Sequence, residues 1–140
     1  MVKTTKELLK SIMDNPNLND YLSKNSAEMS FDTITEMVEF YLKTKGLKKN
    51  EAIARSNIES HYAYQIISGK KTPSRDKLIM LCFGLKLNYE ETQHMLKKSG
   101  LCELYPRSVR DSIIIFSILH QKSIIEANEL LYDNDQKILE

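Results

Sequence analysis

The chain repeats itself at an offset of 35 residues. Arg75-Asp76-Lys77-Leu78-Ile79-Met80 lies over Arg110-Asp111-Ser112-Ile113-Ile114-Ile115, Asn88-x-x-Glu91 over Ser123-x-x-Glu126, and Met95-Leu96 over Leu130-Leu131. A polar residue followed three positions later by glutamate starts a helix, because its side chain meets the third helical amide while the glutamate reaches back. Each copy therefore reads as a helix, a short turn and a second helix, with residues 99–106 linking the copies. Two such hairpins together bury apolar stripes that neither covers alone.

The rest of the chain extends this helical pattern. Three prolines and four glycines in 140 residues leave few places for tight turns, so an all-α fold is expected. Thr5 is placed to cap a helix over residues 6–13, with Leu8, Leu9, Ile12 and Met13 on one stripe, and Asn15-Pro16-Asn17 stops it. A short helical segment over about residues 18–23 is expected next, with a loop at Asn25-Ser26 after it. Ile34, Met37, Val38, Tyr41 and Leu42 give the core face of a helix over about residues 30–45, which Gly46 ends. Helices are expected over 49–56, 60–67 and 75–84, with Gly69 and Pro73 shaping the loop before the third of them and Ser74 capping it. The organisation expected is an N-terminal helical extension at 1–29, a core at 30–98 and a helical hairpin at 99–140.

Composition narrows the function classes. Apolar residues at 41% and charged residues at 28% are an ordinary globular balance. No apolar run approaches the roughly 18 residues of a membrane span. Met1-Val2-Lys3-Thr4-Thr5-Lys6-Glu7 leads into no apolar signal segment. Cys82 and Cys102 read as free thiols rather than a disulfide framework, so a cytoplasmic location is expected, and the excess of lysine over arginine hints at a bacterial or phage source. Charge is unevenly spread: residues 43–75 hold 8 basic and 2 acidic residues, while 1–42 hold 4 and 7, and 122–140 hold 2 and 5. A basic middle between acidic flanks suits one face for a polyanion, although a solvated lysine-rich surface would give the same count.

The segment from Leu47 to Gly69 carries the functional argument. Two short helices separated only by Asn57-Ile58-Glu59 suit a helix-turn-helix, whose second helix can enter the major groove. Ala52 and Ala54 offer the small residues needed where the two helices cross, and Ile58 an apolar plug after the turn. Ala63, Ile66 and Ile67 assign the inward face of the second helix, leaving Ser60, His61, Tyr64 and Gln65 on the other.

With Glu51, Arg55-Ser56, Ile58, Ile66, the run Ser68-Gly69-Lys70-Lys71-Thr72-Pro73-Ser74 and Leu78-Ile79-x-Leu81-Cys82-x-Gly84-Leu85, the chain resembles the lambda-repressor-like, Xre-type helix-turn-helix family over about residues 33–98. It departs at Ala52-Ile53, where the family has Leu-Ala, and at Asn57, where the family has glycine. The resemblance implies a five-helix core and a transcriptional regulator, most simply a repressor, that binds double-stranded DNA as a homodimer. It implies base reading by Ser60, His61, Tyr64 and Gln65, the last pairing with adenine. It also implies phosphate contacts from Lys49, Tyr62, Lys70, Lys71 and Arg75. The apolar stripe Ile113, Ile114, Phe116, Ile118 and Leu119 is where dimerisation is expected.

No catalytic constellation is legible. His61, His94 and His120 are scattered, and Cys82, His94, Cys102 and His120 lack the paired short spacings of a zinc site. No enzyme activity, metal or cofactor is expected. The alternative is a helical protein-interaction adaptor in which the helix-turn-helix is scaffold alone.

Overall fold

The structure, a computed structural model, describes residues 4–24 and 33–140. The described chain is all-helical: α1 (Thr5–Asp14), α2 (Leu18–Lys24), α3 (Ile34–Lys45), α4 (Lys49–Ser56), α5 (Ser60–Ile67), α6 (Arg75–Gly84), α7 (Tyr89–Lys98), α8 (Val109–Leu119) and α9 (Ile124–Asp133). The expected loop at Asn25-Ser26 and the expected start of the third helix at Ser30 lie outside the described residues. No described helix is long and apolar enough to cross a membrane. The chain divides into two compact units, Met1–Asp32 and Thr33–Glu140, so the C-terminal hairpin belongs to the same unit as α3 to α7.

In the first unit the cap of α1 is Thr4, one residue before the expected Thr5. The Thr4 hydroxyl accepts from Glu7 N–H and the Glu7 carboxylate accepts from Thr4 N–H, a complete capping box. Asn17 Oδ1 then accepts from Asp20 N–H at 3.0 Å to start α2. No residue of α1 is buried, and Leu9, Ile12 and Met13 stand exposed along its apolar stripe.

In the second unit, α3 turns its expected stripe inward: Met37, Val38, Tyr41 and Leu42 are buried, and Gly46 ends it with φ +63°. Asn57 adopts φ +60° at the turn after α4, the left-handed conformation its short polar side chain tolerates. Buried Ser56 ties that turn down, its hydroxyl donating to Ile53 C=O at 2.6 Å and accepting from Ile58 N–H at 3.2 Å. Ala63, Ile66 and Ile67 of α5 are all buried, and Thr35 Oγ1 donates to Ile67 C=O at the helix end. The close approach lies between α4 and α6 rather than at the expected crossing of α4 and α5. Ala54 is exposed, and the small residues that matter are Ala52 of α4 and Gly84 of α6.

The repeat of 35 is built into the hydrogen bonds. Lys86 and Gln121 both adopt φ +55° at the hairpin turns, and both second helices open with capping boxes, at Asn88/Glu91 and Ser123/Glu126. The Gln93 amide clamps Leu104 through both its N–H and C=O, at 2.7 and 2.9 Å, and Asn128 clamps Leu139 the same way, at 2.8 and 3.1 Å. The copies then exchange partners. Arg75 donates to both Asp111 oxygens at 3.1 and 2.8 Å, and Arg110 to both Asp76 oxygens at 3.0 and 2.9 Å. Each arginine also binds two carbonyls behind its own copy: Cys102 and Glu103 for Arg75, Lys137 and Ile138 for Arg110. A reciprocal exchange of this kind pairs the hairpins about an approximate two-fold axis.

A Cβ placed on Gly84 would lie 2.2 Å from Ala52 C=O and 3.0 Å from Ser56 Cβ, so neither helix can give way without moving backbone. Gly84→Ala is expected to lower the unfolding free energy by about 1–3 kcal/mol or more, as overpacking does, despite alanine's better helix propensity. A urea titration followed by circular dichroism measures this, and an unchanged midpoint would show that α4 and α6 separate freely.

Candidate nucleic-acid interface

The α4–turn–α5 segment is positioned from below by apolar burial and from α6 by Arg55, whose Nε donates to Gly84 C=O at 3.0 Å. Its outer face is α5, an eight-residue helix whose N-cap is Glu59. The Glu59 carboxylate accepts from Tyr62 N–H at 2.8 Å and His61 N–H at 3.0 Å, and these backbone bonds hold its pKa below the ordinary value. Sequence reading missed this cap because glutamate is not among the usual N-cap residues. Its position directly before the helix, where an acidic group meets the helix dipole, was the available signal.

The structure brings the four expected base-reading residues together. Ser60 and His61 are exposed, Tyr64 is 45% exposed, and Gln65 is half-buried. The buried set Ala63, Ile66 and Ile67 occupies the opposite side of the helix, so these four share one wet face. Tyr62 is half-buried, and the ammonium of Lys77 sits 5.8 Å from its ring centroid. That contact ties Tyr62 to α6 and adds Lys77, a cation that the sequence reading passed over.

Beyond α5, Gly69 takes φ +86° and Lys71 N–H donates to Gln65 C=O at 3.1 Å, shaping the loop that carries Lys70 and Lys71. Both lysines are exposed, and neither forms an ion pair among the described residues. Lys49, the first residue of α4, pairs with Glu39 at 2.7 Å on the surface. Lys45 pairs with Glu91 at 3.0 Å. The basic block of residues 43–75 is thus partly neutralised, while Lys43, Lys48, Lys70 and Lys71 form no ion pair among the described residues.

Arg75 requires a correction. Its guanidinium is consumed by Asp111 and by the Cys102 and Glu103 carbonyls, and the Asp111 hydrogen bonds raise its pKa further. A phosphate contact would have to break a bidentate ion pair, so Arg75 holds the hairpins together and leaves the phosphate set.

The remaining titratable groups read as structure. Burial pushes the Cys82 thiol up to about 12, as expected for a core residue, and burial raises the Tyr41 hydroxyl to about 12 as well. Cys102 is exposed and both thiols are free. Burial lowers the His94 pKa, helped by Lys98 and Lys97. Among the described residues no three His, Cys, Asp or Glu side chains gather to hold a metal ion. Compared with known proteins, the chain matches no family model, no curated sequence and no solved structure.

Burial alone would raise the Asp111 pKa, but the Arg75 hydrogen bonds and Tyr105 N–H outweigh it and hold it below the ordinary 3.8. Its stabilisation is present above the unfolded-state value and is lost as pH falls through the lower folded value. Asp111→Asn is expected to cost about 1–3 kcal/mol at neutral pH, because it removes the charge and one of the two oxygens that accept from Arg75. The variant should also lose less of its remaining stability than the parent as the pH falls from neutral to below the ordinary carboxylate value. Denaturant midpoints across that range measure both effects, and parallel acid profiles would show that Asp111 is not the group responsible.

Proposed function

We propose that the chain is a sequence-specific double-stranded DNA-binding regulator that inserts α5 into the major groove, its core arranged as in lambda-repressor-like proteins. The observation that carries this reading is the outer face of α5. Ser60, His61, Tyr64 and Gln65 lie together on it, and none of their side-chain polar groups is used in a hydrogen bond within the described residues. Groups left unused on an open helix are available to base edges. The α5–α6 loop adds Lys70 and Lys71 beside it, without an ion pair among the described residues and suited to phosphates. Lys49 joins them at small cost, because an exposed pair such as Lys49–Glu39 contributes only about 0–1 kcal/mol. Glu59 has a selective effect at the head of α5: its charge repels phosphate and favours approach by bases that donate, such as cytosine.

Fluorescence anisotropy on a duplex selected from random DNA tests the reading. Affinity should fall steeply with salt, by about 0.9 log unit per tenfold salt for each phosphate neutralised. Gln65→Ala should cost about 1–3 kcal/mol on the selected site, while Lys70→Ala weakens all duplexes alike. No binding at low salt would leave α4 and α5 as scaffold, and equal losses from both variants on random DNA would show that α5 does not read bases.

One short helix contacts too few bases for specificity, so the regulator acts as a two-fold dimer. Of the expected dimer stripe, Ile114 is buried and Ile113 and Ile118 are half-covered within the chain, leaving Phe116 and Leu119 exposed, as is Val109 at the start of the same helix. Phe116 at 46% exposure stands where the first copy has Leu81 at 0%, which is an apolar cost that a partner surface removes. Sedimentation at tens of micromolar should show a dimer that Phe116→Asp converts to monomer without loss of helicity. A monomeric parent chain would remove the dimer from the proposal.

A further inference from the structure

The paired hairpins leave a groove of about 830 Å³ where their two turns face each other beneath the last turn of α4. Its wall is made of equivalent residues from the two copies, Phe83, Leu87 and Tyr89 from one and Ile118, Lys122 and Ile124 from the other. That volume lies within the roughly 300–1,000 Å³ of small-molecule sites, which are mostly apolar with a few placed polar groups. Leu119 and Ile125, 62% and 60% exposed, stand at its mouth, more apolar surface than this part of the chain needs for its own packing.

The charged groups are three cations and two carboxylates among several neutral polar side chains. Arg55, Lys86 and Lys122 line the groove. Of the two carboxylates there, Glu126 accepts from Ser123 N–H in the α9 cap at 2.9 Å, and Glu90 is exposed. Arg55 is the most informative. Its Nε is fixed on Gly84 C=O, but Nη2 is shut off from solvent with no acceptor among the described residues. A carboxylate at the α4 end of the groove draws the guanidinium round and supplies that acceptor, while Lys86 and Lys122 add charge from the turns.

We infer that this groove binds a small aliphatic carboxylic acid, its chain along the apolar wall and its carboxylate on Arg55 and Lys122. Arg55 belongs to α4, so an occupied groove acts directly on the helix that carries α5. Binding itself does not depend on the DNA reading and is measured without DNA.

Isothermal titration of the full chain with octanoate and with its neutral analogue octanamide tests the inference. Octanoate should bind saturably and at least tenfold more tightly than octanamide. Arg55→Gln should remove most of that difference. Because that variant also loses the Gly84 contact, Lys122→Gln provides a second test at a residue outside the core, with an expected weakening of octanoate of several-fold and no change for octanamide. Leu119→Asp at the mouth should weaken both. Equal binding of acid and amide, octanoate binding that ignores Lys122→Gln and Leu119→Asp, or no saturable binding of octanoate would each overturn it.

Discussion

The close approach of α4 to α6 governs the position of everything above it. Hydrogen alone fits at Gly84 because Ala52 C=O occupies the place of a side chain. This lets the two backbones approach until Arg55 can reach Gly84 C=O and Ser56 can sit buried between them. The α4–α5 turn has only three residues, so fixing α4 fixes α5. The direction in which Ser60, His61, Tyr64 and Gln65 face is therefore set by a backbone contact that none of them makes.

Beneath that contact, the two hairpins form a platform through exchanged charges. A partly buried ion pair stabilises only when its geometry is good and its remaining donors are satisfied. Here each arginine meets its aspartate through two hydrogen bonds and gives further N–H groups to carbonyls. Repetition makes this possible: the same Arg-Asp dipeptide at the head of α6 and of α8 supplies a donor and an acceptor on each side. A duplicated sequence of this kind can pair with itself without new side chains.

Much of this was readable in the residues. The helices at 49–56, 60–67 and 75–84, the left-handed Asn57, the buried Ile58 and both capping boxes of the repeat come from local spacing and local chemistry. The features that were not readable depend on distant partners. Arg75 looked like a phosphate ligand because it ends a basic run, while its actual acceptor lies 36 residues on. The recurrence of Arg-Asp in register was a clue to the repeat, but linear sequence does not distinguish a side chain aimed at solvent from one aimed at its twin. Ala54 failed for a similar reason: a small residue marks a close approach, and only the packing shows that Ala52 makes it, against α6. The choice between Thr4 and Thr5 as a cap turned on one residue of register between identical side chains. Of the candidate site, the shared face of α5 was legible from periodicity, whereas Glu59 and Lys77 act through the backbone of α5 and the ring of Tyr62.

The two thiols differ in a way useful at the bench. Cys82 is sealed in the core and burial holds it protonated, while Cys102 is exposed on the segment whose backbone carbonyl Arg75 grips. A maleimide dye added to the folded chain will therefore mark one position, on a stretch of backbone anchored at the junction of the two copies. Its rotational freedom becomes a gauge of whether the charge exchange is intact, legible in the native protein without a single engineered residue.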